Sequence, residues 1–566
     1  MRAGAFLIAC FVAALAGFSQ AAAQGVTTVP FPLPGHTFSA TLTGEQNGVL
    51  VHGVADTVII DEWSYRQDIS FPYVFACDGS GIGELHCVPD TATNNSYSGG
   101  WSRVEMRTAA LRDGAGRIMV AWSAQRFSYN VTTSVQEAVL SLGVFENNVF
   151  RLLGRWPGAS HPLLLRGADG TVLLIFVRQK LFSPPGLPSC DYSGVIQAAS
   201  YRGDALLTPP VTVATGGTPS AVLDAANRAH IVSMEYDSIP APVVRVQYVA
   251  GSGTAWGQPR TLATLPTYAS CPYRPSVQQF PSVLAFAADA RGIARVVLQR
   301  PDGWGSLLAF SSDGGSIAID SVEGGWIGAA SCVIDSTGAI SCAHMGPMSG
   351  RDILYMRHFD PAMTAQRLER LANDSPYDET HPPFDDGIVL LRTKHDGLCL
   401  LHARASALWL FGKLEAGPRS PQLLAVDRVG YLLQDRPAAC DSTGAMWFAY
   451  RQSYADDQPV GTLLLRIPPG TVPVARVDAP DAFALHCFPN PATTDASVRF
   501  NLPTEQTVTI SVHNILGREV LRAADGREYS SGTHVLPLRV AELARGVYSV
   551  RMHAARTEAW TTLILR

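Results

Sequence analysis

The chain has 566 residues, a net charge of -5 and only 16% charged side chains. No basic field is present to attract nucleic acid or an anionic membrane, so both partner classes are excluded. Fifty glycines and 38 prolines, spread along the whole length, suit many short strands joined by turns better than long helices.

At the N-terminus, Arg2 precedes an apolar run from Ala5 to Phe18, and Ala21-Ala22-Ala23 before Gln24 offers small residues to a signal peptidase. This reads as a signal peptide over residues 1–23. The run is shorter than the about 20 apolar residues a membrane-spanning helix needs, so no transmembrane segment is expected. An oxidising compartment then allows the cysteines beyond Cys10 to pair. Cys332 with Cys342, and Cys77 with Cys87, flank predicted hairpins at the same separation and are the expected bridges. Cys190 with Cys271 and Cys399 with Cys440 suit the strand arrangement below, which leaves Cys487 over; spacing alone does not fix the connectivity.

Residues 24–104 are less regular. Pro72 to Cys87 has the form of a hairpin, and the segment reads as a partial blade or as strands that complete the last blade and latch a ring. From 105 to 480 one phrase recurs: an apolar strand, Asp-x-x-Gly or a shorter Asp-Gly variant, and a second apolar strand. It falls at Asp113, Asp169, Asp224, Asp289, Asp335, Asp396 and Asp441, with Asn227 in place of the glycine in the third copy. Asn suits that place because it tolerates a left-handed backbone better than most residues. A period near fifty residues marks an array of supersecondary units, and four strand-like runs per period make each unit a propeller blade. The expected fold is all-β: a β-propeller of about seven four-stranded blades, with six or eight left open, then a small β-sandwich. The repeated Asp is read as structural, its carboxylate accepting backbone N–H groups of its own turn.

This topology puts the Asp turns on one face and the longer loops on the other. Tyr192, Tyr236, Tyr273, Arg274, Tyr377 and Tyr454 come from those longer loops or their strand ends, and aromatics mixed with carboxylates on rigidly held loops suit glycan or peptide recognition. The acidic stretch Asn373 to His381 lacks the spacing of a calcium loop and reads as a solvated turn, so no metal and no cofactor are expected. Motifs of nucleophile elbows, zinc proteases, phosphate loops and Cys-x-x-Cys pairs are missing, and the catalytic residues stay unknown. Two facing carboxylates for glycoside hydrolysis are beyond the reach of sequence.

The Asp phrase resembles the hairpin repeats of sialidase-like propellers, whose usual form is Ser-x-Asp-x-Gly-x-x-Trp. Ser311-Ser312-Asp313-Gly314-Gly315 comes nearest and lacks the Trp. No Phe-Arg-Ile-Pro stands near the mature N-terminus, so the resemblance implies the fold and not sialidase activity.

The tail reads Phe488-Pro489-Asn490-Pro491, then VTISVHNILGREV from Val508 to Val520 with Gly517 inside it, then Leu543-Ala544-Arg545-Gly546-Val547-Tyr548, and ends on Arg566. Residues 485–566 thereby resemble the type A C-terminal sorting domain of the type IX secretion system. That resemblance implies a small β-sandwich, the secretion machinery as partner, and delivery through the periplasm to the cell surface or the medium. Two functional classes follow for the propeller: noncatalytic binding of a glycan, peptide or surface partner, or a secreted glycoside hydrolase or lyase on the same fold. Binding is preferred, because the strong motifs are structural or targeting.

Overall fold

The structure, a computed structural model, describes residues 27–565 apart from 31–35, 61–65, 180–193, 238–242, 267–280, 301–306, 321–329, 371–386, 412–421, 433–436, 453–461 and 470–484 and shorter gaps of at most three residues. It is all-β, and its chain divides into two compact units, Met1–Pro473 and Val474–Arg566. Among the described residues, no helix is long and apolar enough to cross a membrane.

The first unit is a propeller of eight blades. Blade 1 has strands His36–Gly44, Gly48–Ile60, Arg66–Asp78 and Gly81–Cys87; blade 2 has Gly100–Arg112, Ile118–Asn130, Thr133–Glu146 and Val149–Pro157. Blade 3 follows with Ala159–Arg166, Val172–Gln179, Gly194–Arg202 and Ala205–Thr215, and blade 4 with Gly217–Leu223, Ala229–Asp237, Val243–Ser252 and Arg260–Pro266. Blade 5 (first strand Ser282–Ala288, second Ala294–Gln299) and blade 6 (Ala330–Ile334, Ile340–Met348) repeat the plan, as does blade 7 (Gly387–Thr393, Gly397–Arg404). Blade 8 takes Ala438–Cys440, Met446–Gln452 and Thr462–Ile467 from the end of the unit, and its fourth strand, Thr27–Pro30, from the beginning. Its second strand also pairs with Gln422–Leu432 of blade 7, so these two blades share one sheet.

Second strands carry long apolar runs because they are packed on both faces. In Val172–Gln179, Leu174 and Phe176 enter the core shared with blade 2, while Leu173, Ile175 and Val177 enter the core shared with blade 4. The same alternation closes the ring. Trp447 and Ala449 of blade 8 pack with Val49, Val51, Tyr73 and Phe75 of blade 1. Trp447, Tyr73 and Phe75 are fully buried there, and burial of each large side chain contributes about 1.5–3 kcal/mol.

Eight blades against seven Asp phrases has a local cause. The first hairpin of blade 1 turns through Glu45-Gln46-Asn47-Gly48, with Glu45 N–H on Gly48 O at 2.8 Å, and contains no Asp. Asp78, in the hairpin that stood out by sequence, joins the third and fourth strands of that blade.

The bridge between Cys332 and Cys342 is present, the two residues standing directly opposite across the blade 6 hairpin. The expected pairing of Cys77 with Cys87 is corrected: both are free thiols. The turn between their strands lies at Asp78–Gly81, off the midpoint of the two cysteines, so Cys77 stands opposite Ile82 and Cys87 opposite Tyr73. Cys440 is likewise a free thiol, so it makes no bond to Cys399, and Cys487 is unpaired as expected.

The second unit is a β-sandwich. One sheet holds Leu485–Phe488, Ala496–Leu502 and Gly532–Leu538; the other runs Glu519–Tyr529, Gln506–His513, Gly546–Ala554, Thr557–Leu565 in spatial order. Their inner faces share a core of Val498, Phe500, Ile510, Val512, Val550 and Leu563, among others, which is separate from every propeller core.

Candidate functional site

The Asp turns form one face of the ring, and their geometry is repeated. Asp113, Asp224, Asp289, Asp335 and Asp441 each donate a backbone N–H to the carbonyl four residues on, at 2.9–3.0 Å, and each accepts one from the residue three on. That third residue is left-handed: Gly116 (φ 81), Asn227 (φ 59), Gly292 (φ 75), Gly338 (φ 90) and Gly444 (φ 90). Asn227 therefore fills the place assigned to it. In every one of these turns Oδ1 accepts the N–H groups two and four residues on, at 2.9–3.0 Å.

The second carboxylate oxygen is also occupied. Asp224 Oδ2 lies 3.1 Å from His230 Nε2, Asp289 Oδ2 accepts from Arg295 at 3.1 Å, and Asp441 Oδ2 accepts from Trp447 Nε1 at 3.0 Å. All three partners are buried and stand six residues after the Asp. This spacing was visible in the sequence and passed unread; Trp447 is one residue further from its Asp than in the sialidase-like phrase. Asp113 uses Arg117 instead, at 2.8 and 3.0 Å. Burial alone would raise the Asp289 pKa, but hydrogen bonds from Ile293 N–H, Arg295 and Arg291 outweigh it and bring the carboxyl down to about 2. Asp224 and Asp335 are lowered for the same balance of reasons.

Two of the seven phrases differ. In blade 3 the turn begins at Gly167, two residues before Asp169, and the exposed Asp169 accepts instead from Thr171 and Arg202. Asp396 lies outside the described residues. Neighbouring turns are fastened to one another: Ala168 N–H to Asn227 Oδ1 at 2.9 Å, Ala290 N–H to Ser336 O at 3.3 Å, Arg295 to Pro361 O at 2.8 Å, and Ser442 N–H to Glu45 O at 2.9 Å. This face is a belt of fasteners. Asp335→Ala is expected to cost on the order of 1 kcal/mol in a urea melt and to leave ligand affinity untouched. Loss of binding without loss of stability would overturn the structural assignment.

The opposite face is only partly described. Tyr192, Tyr273, Arg274, Tyr377 and Tyr454 lie outside the described residues. Tyr236 stands in strand Ala229–Asp237, opposite Val244 and at the end remote from the Asp224 turn, and its side chain is outside the described ones. Beside it, Glu235 is the residue that sequence reasoning missed. Its carboxylate accepts from Thr215 Oγ1 and Gln247 Nε2, both at 3.0 Å, with Arg245 at 3.8 Å. Among the described propeller side chains, every carboxylate other than Glu84 and Glu235 sits in a turn of the Asp face. The signal in the sequence is the run Glu235-Tyr236-Asp237, of which the reading above uses only Tyr236.

The seam between blades 2 and 3 also becomes polar toward that face. Ser123 and Gln125 continue the side of their strand that packs as Met119 and Ala121, and Gln197 continues the Ala199 side of its own. His161, left-handed at φ 54 and bonded to Ser160 Oγ at 2.9 Å, is buried close by; burial and the nearby Arg107 push its pKa down to about 3.

In the sandwich, the motif residues are fixed by backbone contacts. Asn490 donates to Thr562 O at 2.7 Å and accepts from Ile564 N–H at 2.9 Å, while Tyr548 donates to Ala544 O at 2.6 Å across the turn that ends at Gly546. Pro489, Pro491 and Gly517 lie outside the described residues.

Residues 486–566 match the secretion system C-terminal sorting domain. The chain thus carries a type IX sorting tail, which directs it to the cell surface or the medium. No curated protein sequence matches the chain. Among solved structures, the β-propeller domain of the Trilobed protease from Pyrococcus furiosus is similar at 9% identity and a TM-score of 0.33, over 68% of this chain and 98% of that one. The polysaccharide lyase Uly1 is similar at 8% identity and a TM-score of 0.35, over 76% and 89%. Trypanosoma rangeli sialidase, in complex with the inhibitor DANA, is similar at 10% identity and a TM-score of 0.30, over 95% and 87%. The propeller assignment rests on the strand pairing and closed packing described above.

Proposed function

We propose that the exported propeller is a noncatalytic binding module that takes a glycan, peptide or surface partner on the loop face opposite the Asp turns. The observation that carries this reading is the state of the turn carboxylates: both oxygens of Asp113, Asp224, Asp289 and Asp441 are engaged within their own hairpins, the second by a buried donor at Asp224, Asp289 and Asp441 and by Arg117 at Asp113. Such groups hold structure and have no lone pair directed at a substrate. At the other end, Glu235 is clamped by a hydroxyl, a carboxamide and a guanidinium, an arrangement that suits recognition.

A glycan array probed with the full-length protein tests the reading. Binding is expected, with Ala at Tyr192, Tyr273, Arg274 and Tyr454, which the sequence assigns to the longer loops, weakening it while the melting transition stays in place. Release of shortened or unsaturated products from a bound glycan would replace this reading with a glycoside hydrolase or lyase. Glycoside hydrolysis needs a pair of carboxylates about 5–9.5 Å apart.

A further inference from the structure

A β-sandwich leaves four strand edges, and unpaired edges are templates for pairing with another chain unless they are blunted. Three edges of the sorting domain are blunted. Leu485–Phe488 is a strand of only four residues, and Gly532–Leu538 contains Pro537. Glu519–Tyr529 is broken by register shifts against its neighbour and carries Glu519, Arg522 and Asp525 in an ion-pair cluster.

The fourth edge, the terminal strand Thr557–Leu565, is different. It pairs with Gly546–Ala554 through nine residues without a register shift, and Glu558 is its one charged side chain. Its backbone groups alternate between the partner strand and the outer rail. Thr562 C=O and Ile564 N–H are on the outer rail, where the Asn490 carboxamide imitates a neighbouring strand and binds both; Ala492 N–H takes Ile564 C=O at 2.8 Å. By the same alternation the backbone groups of Glu558 and Trp560 face outward, and no hydrogen bond among the described residues reaches them there. Next to the covered part, Val547 (50% exposed) and Ile564 (37% exposed) stand directly across from each other as an apolar pair.

We propose that this open half of the terminal strand is where the secretion machinery reads the tail, by adding an extended strand of its own as the fifth strand of the sheet. The occupant is a protein edge strand with an apolar side chain opposite Thr562, from where it reaches diagonally to Ile564. Asn490 and Ala492 limit the pairing to the Glu558–Thr562 stretch and so fix its register. This rests on the sorting-domain match, which requires that an exporter recognise the domain, and it adds the element and the mode of recognition.

Proline supplies the test, because an outward N–H can be removed without touching the ladder to the inner strand. In the exporting host, full-length protein with Glu558→Pro is expected to accumulate in the periplasm. Its exported fraction should fall about tenfold, as loss of one backbone hydrogen bond with its acceptor left unsatisfied implies, while Glu558→Ala exports normally. Ile564→Lys keeps the backbone and places a charge on the edge; it should also block export with the melting transition unchanged, and it decides the matter if the proline variant does not fold. Normal export of Ile564→Lys together with a folded Glu558→Pro would overturn strand addition, as would equal losses from Glu558→Ala and Glu558→Pro, which point to side-chain readout. A protein exported without residues 485–566 would instead remove the sorting reading itself.

Discussion

Replacing Asp289 with Ala should destabilise the propeller by about 3–5 kcal/mol, the usual result of leaving one member of a buried ion pair alone. Arg295 is 2% exposed, and its guanidinium meets Asp289 at 3.1 Å and Pro361 O at 2.8 Å. It occupies room that exists only because Gly338 of the next blade has no side chain. Without the carboxylate, that buried charge keeps the Pro361 carbonyl and the longer-range pull of Asp313, and the blade 5 turn loses its direct hold on Arg295. Urea unfolding of the two proteins checks this. The difference should also depend on pH. The Asp289 carboxyl sits at about 2 in the folded protein against about 3.9 in a free chain. Its contribution is therefore complete above pH about 4 and is lost as pH falls through about 2. A mutant as stable as the parent at pH 7 would show that the guanidinium finds water or another partner, and the belt of fastened turns would lose its main support.

Deleting residues 485–566 should abolish export and leave the protein in the periplasm with its propeller folded. The tail has its own core, built around Val498, Phe500 and Val550, whose described residues all come from the tail itself. Fractionation of the host reads the location, and a melting transition like that of the full-length propeller reads the fold. Normal release of the truncated protein would mean that the export signal lies elsewhere.

The blade plan was legible because a propeller writes itself into a sequence twice, as four apolar runs per unit and as a turn that needs a carboxylate and a left-handed residue. Where one of these is missing the reading slips: blade 1 turns on Glu45 and Gly48, and without an Asp it does not advertise its register. The cysteines show the same limit. Cys332 and Cys342 sit evenly about the turn that begins at Asp335, and their bridge could be read; Cys77 and Cys87 sit unevenly about a turn that sequence placed by eye. The functional face was less legible. A topology argument reaches Tyr236 as a strand end, but nothing in a single chain says that Thr215 and Gln247, from neighbouring strands and a neighbouring blade, meet at Glu235. Such contacts are set by packing between blades, and that packing carries no periodicity of its own.

The fourth strand of the last blade has a consequence in time. Thr27 pairs with Arg466, so the first described residues of the chain wait for nearly the last ones of the propeller before their sheet exists. The equilibrium cost of so long a closure is small, since each doubling of a loop adds only about 0.6 kcal/mol, but contacts this distant form late. Until then the chain is an arc with two raw ends, each offering unpaired backbone to whatever lies near. A nascent or half-translocated chain therefore cannot be a finished ring. Once closed, neither terminus of the propeller can be drawn out alone, because each holds the other in place.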